Sequence, residues 1–129
     1  MTIVGIGTDI IEIDRIRNAV EKNERILGRL FTSAELDDYC LRGCRMEVLA
    51  GKFAAKEAVV KAMGTGLRGF AWTDMQILPD DKGKPGLTLF GNAEIIARQN
   101  GIHSAFVTLS HHRTSAVAFV IALGSGESL

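Results

Sequence analysis

The sequence predicts an α+β domain, a mainly antiparallel sheet packed on one long helix. Three observations carry that expectation. A long helical stretch stands at 47–63, strand pairs stand at 72–78/86–90 and 104–109/115–123, and a lone strand-like run occupies 2–11. The resulting order is β-α-α-α-β-β-α-β-β. Paired strands gathered around helices, not alternating singly with them, favour antiparallel pairing. At 129 residues and 47% hydrophobic, the chain suits one core, expected over 1–123 with a flexible tail at 124–129.

Each element has a local reason. Residues 2–11 (TIVGIGTDII) are β-branched and punctuated by glycine, as in a buried strand. From 13 to 30, Ile13, Ile16, Val20, Leu27 and Leu30 fall on one side of a single helix. Thr32 and Glu35 stand at capping-box spacing and open a short helix that runs to about Leu41. Gly43 interrupts, and the long helix at 47–63 stops at Gly64-Thr65-Gly66. Strands at 72–78 and 86–90 flank the turn Asp80-Asp81-Lys82-Gly83-Lys84-Pro85. A helix at 92–100 ends at Gly101, which suits a left-handed cap. The last two strands are joined through 110–114.

Composition narrows the function classes. Lys+Arg and Asp+Glu both number 15, so overall charge does not call for a nucleic acid, and neither a nucleic acid nor a membrane is expected as a partner. No apolar run approaches the roughly 18 residues of a membrane span. The chain opens directly on a strand without a basic leader, so a cytoplasmic protein is expected. Cys40 and Cys44 lie four apart with no second cluster to complete a zinc site, and are expected as reduced thiols.

Two carboxylates stand in apolar settings. On the long helix, Ala50, Phe53, Ala54, Val60 and Gly64 fall within about 60° of Glu57, with Lys61 one turn on. Glu57 is therefore expected in the middle of a buried stripe, where an isolated carboxylate costs several kcal/mol unless paired or bound to a cation. The plain alternative is a Glu57–Lys61 ion pair, worth about 0.3–0.5 kcal/mol when exposed. On the first strand, Gly5, Gly7 and Asp9 share one face, and the glycines are expected to clear room for a ligand. An Asp capping a strand end is the alternative there.

The run Gly5-Ile6-Gly7-Thr8-Asp9-Ile10 followed by Glu12-Ile13 resembles the opening motif of the holo-acyl-carrier-protein synthases, short single-domain phosphopantetheinyl transferases. Phe53-Ala54-Ala55-Lys56-Glu57-Ala58, with Lys61-Ala62 after it, resembles their second motif. The resemblance extends through Gly64-Thr65-Gly66, Gly83-Lys84-Pro85 and Ser110-His111, although Ser115 stands where the family often has an aromatic residue. It implies a phosphopantetheinyl-transferase-like domain that moves 4′-phosphopantetheine from coenzyme A to a serine of apo acyl carrier protein. Adenosine 3′,5′-bisphosphate leaves, and the product serves fatty acid biosynthesis.

By the same resemblance Asp9 and Glu57 hold Mg²⁺, and Lys61 contacts phosphate or stabilises the transition state. Lys52, Lys61, Gly64, Pro85, Ser110 and His111 line the coenzyme A site. The serine proton passes to Glu57 directly or through a metal-bound water. The second route is favoured, because a carboxylate shared with Mg²⁺ is a poor base. Ser110-His111 is not a hydrolase pair, since no nucleophile elbow surrounds it.

If 13–30 is one helix, Arg15, Lys22, Arg25 and Arg29 lie within about 80° of one another. The resemblance makes that edge the docking surface for an acidic carrier protein, diluted by Glu21 and Glu24. A solvated basic face is the alternative. The family is typically a homotrimer with sites between subunits, and the apolar strands at 104–109 and 115–123 serve either an interface or the core. A coenzyme-A- or nucleotide-binding module without transfer activity, and an interaction domain in which Asp9 is a cap, remain the rival functions.

Overall fold

The computed structural model describes residues 1–125. Strand β1 (Thr2–Glu12) leads into helices α1 (Ile13–Lys22), α2 (Arg25–Leu30), α3 (Ser33–Leu41) and α4 (Met46–Met63). One 3-10 turn (Trp72–Asp74) precedes strands β2 (Met75–Pro79) and β3 (Pro85–Leu89). Helix α5 (Gly91–Gln99) and strands β4 (Ile102–His111) and β5 (Ser115–Gly124) complete the fold. The strands form two antiparallel sheets, β1-β5-β4 and the hairpin β2-β3. The expected α+β class with antiparallel pairing therefore holds.

Helix α4 is the hub. It packs across β1 and β5, while α1 and β2 cover other sides. Its buried residues run almost all round, from Val48 and Leu49 through Ala54, Ala55 and Ala58 to Val60 and Met63. Small side chains permit this, with Ala50, Ala54, Ala55 and Ala58 facing Ala116, Ala118 and Ala122 in one core. Gly64 ends the helix in the left-handed conformation at φ +76°, as expected.

Four local expectations need correction. The stretch 13–30 is two helices: Asn23 adopts an extended backbone and its side-chain Oδ1 accepts from the Arg25 N–H at 3.1 Å. Such an Asx contact competes with the helix ladder and turns the chain while the apolar period continues. Residues 72–74 form the 3-10 turn and not strand, because the Asp74 side chain draws on the Ala71 N–H and its N–H on the Ala71 carbonyl. Strand β4 continues through His111, so the last hairpin connection is shorter than 110–114. Gly124 belongs to β5 and is buried, against the expected tail at 124–129, of which 126–129 lie outside the described residues.

The capping box at Thr32 and Glu35 is present, with the Glu35 N–H donating to Thr32 Oγ1 at 3.2 Å and the Thr32 N–H to Glu35 Oε1 at 2.8 Å. Glu35 does more than cap. It is fully buried, receives the Ile77 N–H at 2.8 Å, and pairs with the Lys56 ammonium at 2.6 Å. Lys56 also donates to the Leu30 and Trp72 carbonyls at 2.7 and 3.1 Å. One buried ion pair thus ties α3, α4, β2 and the segment before β2 together.

The three-stranded sheet has two unlike faces. One carries Ala116, Ala118, Val120 and Val107 into the core. The other leaves Ile6 61%, Ile10 69% and Phe106 56% exposed, with Phe119 and Val117 between them. The apolar β4 and β5 strands therefore serve the core on one face only. Among the described residues no helix is long and apolar enough to cross a membrane.

Candidate active site

Strand β1 and helix α4 touch backbone to backbone. A Cβ added to Gly7 would stand 1.9 Å from the Ala58 carbonyl oxygen, and one on Gly5 2.2 Å from that of Ala62. The two glycines thus clear room for the helix itself, not for a ligand as their pattern suggested. Their consequence falls two residues on: alternation along β1 turns the Asp9 side chain toward the same helix face. There Asp9 Oδ1 accepts from the Lys61 ammonium at 3.2 Å, and the Thr8 carbonyl accepts from it at 2.9 Å.

Glu57 is one turn before Lys61. Its surroundings correct a second expectation, because α4 is buried nearly everywhere except along Phe53, Glu57, Lys61 and Gly64. Glu57 is therefore half-buried on the one open edge of the helix, reachable by a ligand. Burial pushes its carboxyl pKa up, the nearby Asp9 charge pushes it further, and Lys61 and Arg15 pull it back only in part. A raised carboxyl pKa means that the ionised form is disfavoured in the fold, a cost that a bound cation would remove.

A second group of expected residues meets elsewhere. Lys52, Pro85, Ser110 and His111 line a cleft of about 210 Å³, together with Arg42 and Arg45. The Lys52 ammonium is buried and committed, to Asp38 at 2.9 Å and the Ile77 carbonyl at 2.8 Å. Burial acts to raise the Asp38 pKa, but Lys52 and Arg42 outweigh it and hold the carboxyl below its usual range. The cleft's exposed cations are therefore arginines, Arg42 paired with Asp38 at 3.4 Å and Arg45 with Glu47 at 3.6 Å, which sequence reasoning did not single out. Arg42 and Arg45 flank the glycine turn before α4, a basic pair ahead of a helix N-terminus, and that was the available signal.

Lys61 and Gly64 do not join this cleft. Nine residues of helix, about 14 Å, separate Lys52 from Lys61. One chain thus carries a carboxylate–lysine cluster near one end of α4 and a basic cleft near the other. Of the basic residues expected at a docking edge, Arg15 lies close enough to Glu57 to lower its pKa. Lys22, Arg25 and Arg29 are exposed, but the break at Asn23 places Arg25 and Arg29 on α2 and ends the single-helix geometry assumed for them.

Comparison with known proteins decides the family. The model of the 4′-phosphopantetheinyl transferase superfamily matches residues 5–120. The chain belongs to that superfamily. A curated holo-[acyl-carrier-protein] synthase of Alkaliphilus metalliredigens is 48% identical over 120 residues, 93% of this chain and 98% of that one. The crystal structure of the Neisseria meningitidis holo-[acyl-carrier-protein] synthase superposes with a TM-score of 0.88 at 35% identity, covering 95% of this chain and 99% of that one. A Bacillus anthracis holo-(acyl-carrier-protein) synthase, solved in complex with CoA (3′,5′-ADP), gives a TM-score of 0.78 at 35% identity. That likeness covers 97% of this chain and 100% of that one.

Proposed function

We propose that this chain is a holo-[acyl-carrier-protein] synthase: it transfers 4′-phosphopantetheine from coenzyme A to a serine of apo acyl carrier protein, releasing adenosine 3′,5′-bisphosphate. The observation that carries the reading is the meeting of Asp9, Glu57 and Lys61 at the open edge of α4, in a superfamily member related over nearly its whole length to such synthases. The working compartment is the cytoplasm, and the product serves fatty acid biosynthesis.

Asp9 and Glu57 would hold Mg²⁺. The donor set fits: two hard carboxylate oxygens stand close enough for one charge to raise the other's pKa, and Mg²⁺ favours one or two carboxylates with substrate phosphate completing its shell. When bound, the ion neutralises charge on the diphosphate oxygens. Lys61, swinging from Asp9 and the Thr8 carbonyl, reaches a phosphate oxygen as a point charge. Gly64, beyond Lys61 on the same edge, leaves the approach free of a side chain. The open side of Glu57 admits the serine hydroxyl with a water, and the serine proton would leave through that water, because a carboxylate shared with Mg²⁺ is a poor base.

The basic cleft would take the nucleotide end of coenzyme A, with Arg42 and Arg45 as its anion contacts and Pro85, Ser110 and His111 as its walls. Both halves of a coenzyme A site would then come from different copies. The exposed face of Ile6, Ile10, Phe106 and Phe119 is the surface on which they associate. We read the assembly as a homotrimer with sites between subunits.

Mass spectrometry of apo carrier protein incubated with coenzyme A and the enzyme tests the activity. A gain of one phosphopantetheine is expected with Mg²⁺ and none with EDTA. Binding of coenzyme A without any gain would establish the binding-module alternative instead. The docking edge has its own test. Reversing Lys22 and Arg25 to Glu should raise KM for carrier protein at least about tenfold, since two favourable charge contacts become repulsive. Coenzyme A affinity should barely change, and equal losses for both substrates would remove docking from these residues.

A further inference from the structure

Lys61 follows Glu57 by one helical turn, the spacing of an ordinary ion pair along a helix. Its ammonium nonetheless crosses to β1, where Asp9 Oδ1 accepts from it at 3.2 Å and the Thr8 carbonyl at 2.9 Å. The Asp9 carboxylate, and not that of Glu57, is its salt-bridge partner. The two partners differ in freedom. Asp9 is 17% exposed, on a strand that meets α4 backbone to backbone, whereas the Lys61 side chain is 54% exposed at the open edge of the helix. The lysine can therefore leave the contact, while the carboxylate stays.

Both oxygens that hold the ammonium are hard donors of the kind Mg²⁺ also takes. While Lys61 occupies Oδ1 it denies that oxygen to a divalent cation, and its own charge repels one. A diphosphate alters the balance. It offers the ammonium charged oxygens within reach of a flexible four-carbon stem, and Lys61 then releases Asp9.

We propose that Lys61 couples the two ligands of this site: its ammonium competes with the divalent cation for Asp9 until the coenzyme A diphosphate draws it away, so that metal and coenzyme A bind cooperatively. The inference rests on the reading of Asp9 and Glu57 as the metal site. No covalent bond changes; Lys61 exchanges one anionic partner for another. Such coupling is reciprocal, so the factor by which coenzyme A strengthens metal binding is also the factor by which metal strengthens coenzyme A binding.

Mn²⁺ binding followed by electron paramagnetic resonance, with and without saturating coenzyme A, tests this in wild type, Lys61→Met and Glu57→Gln. Methionine is a good helix former and keeps an unbranched stem, so at this exposed position the substitution removes little besides the charge. Without coenzyme A, Lys61→Met should bind Mn²⁺ about fivefold more tightly than wild type, the upper end for one partly exposed ion pair. With coenzyme A that advantage should vanish. Coenzyme A then strengthens Mn²⁺ binding about fivefold more in wild type than in the variant.

A lysine that acted only through its general field would tighten Mn²⁺ equally in both conditions when removed, and that result overturns the inference. Equal affinity of wild type and Lys61→Met without coenzyme A also overturns it. Glu57→Gln separates the inference from the reading beneath it, because it removes a metal ligand and leaves the Lys61–Asp9 contact in place. Its Mn²⁺ affinity should fall in both conditions. Affinity equal to wild type there refutes the shared metal site, and the inference with it. Weakened binding by Glu57→Gln, beside a Lys61→Met whose response to coenzyme A matches wild type, refutes the inference alone.

Discussion

Gly7→Ala is expected to lower kcat/KM for carrier-protein modification about a hundredfold in a protein that still folds. The new Cβ would meet the Ala58 carbonyl oxygen at 1.9 Å, and the obstacle is helix backbone, not the yielding end of a side chain. Strand β1 must retreat from α4 by more than an ångström, taking Asp9 with it. Misplacing reacting groups by about 1 Å costs on the order of 10²-fold in rate. Overpacking of this kind also costs about 1–3 kcal/mol of stability, so rates are compared well below the variant's Tm. Ala58→Gly removes only a methyl and leaves the carbonyl in place, so it should not rescue Gly7→Ala. A Gly7→Ala enzyme with full activity would show that the strand–helix distance does not set the site.

The largest stability loss is expected at the buried pair. Glu35→Gln leaves the Lys56 ammonium fully buried with neutral acceptors alone, the amide oxygen and the Leu30 and Trp72 carbonyls, to offset its charge. Breaking one partner of such a pair costs about 3–5 kcal/mol, whereas replacing both by apolar residues of similar volume is often neutral. Urea unfolding should therefore place Glu35→Gln about 3–5 kcal/mol below wild type.

The same variant should carry a pH signature. Burial already lowers the Lys56 pKa, with Glu35 as the group that opposes the shift. Without that carboxylate the folded-state value falls further below the unfolded one. Between the two values the unfolded chain binds the extra proton, so stability rises with pH across that window. The deficit of Glu35→Gln relative to wild type should consequently shrink as pH is raised from 7 toward 10. A deficit independent of pH would mean that lost packing, not the stranded charge, is responsible.

Local rules read well where the cause is local. The Thr32–Glu35 capping box, the left-handed Gly64 and Gly101 and the alternation that turns Asp9 toward the helix all follow from neighbours in sequence. What escaped was set by distant partners. Periodicity treats a helix as having one inward face, but α4 is enclosed by the sheet, α1 and β2, so Glu57 marks the opening and not the centre of its buried side. Glu35 looked like a cap alone because Lys56 and Ile77 reach it only after α4 and β2 have packed. Arg42 and Arg45 become cleft residues only when the α3–α4 junction meets the end of β4. The helix break at Asn23 was written in a single side chain, while the apolar pattern on both sides argued for continuity.

On the proposed reading, Asp9 and Glu57 share one divalent cation at the coenzyme A diphosphate. Titration of Mn²⁺ by electron paramagnetic resonance, with coenzyme A present, addresses it for wild type, Asp9→Asn and Glu57→Gln. Wild type should take up one ion per chain at pH 7.5, and each variant should bind at least about tenfold more weakly, having lost one of two carboxylate ligands. Because the Glu57 pKa is raised by burial and by Asp9, proton competition should weaken wild-type binding at a higher pH than an ordinary carboxylate would. Undiminished Mn²⁺ uptake by either variant would contradict the shared site.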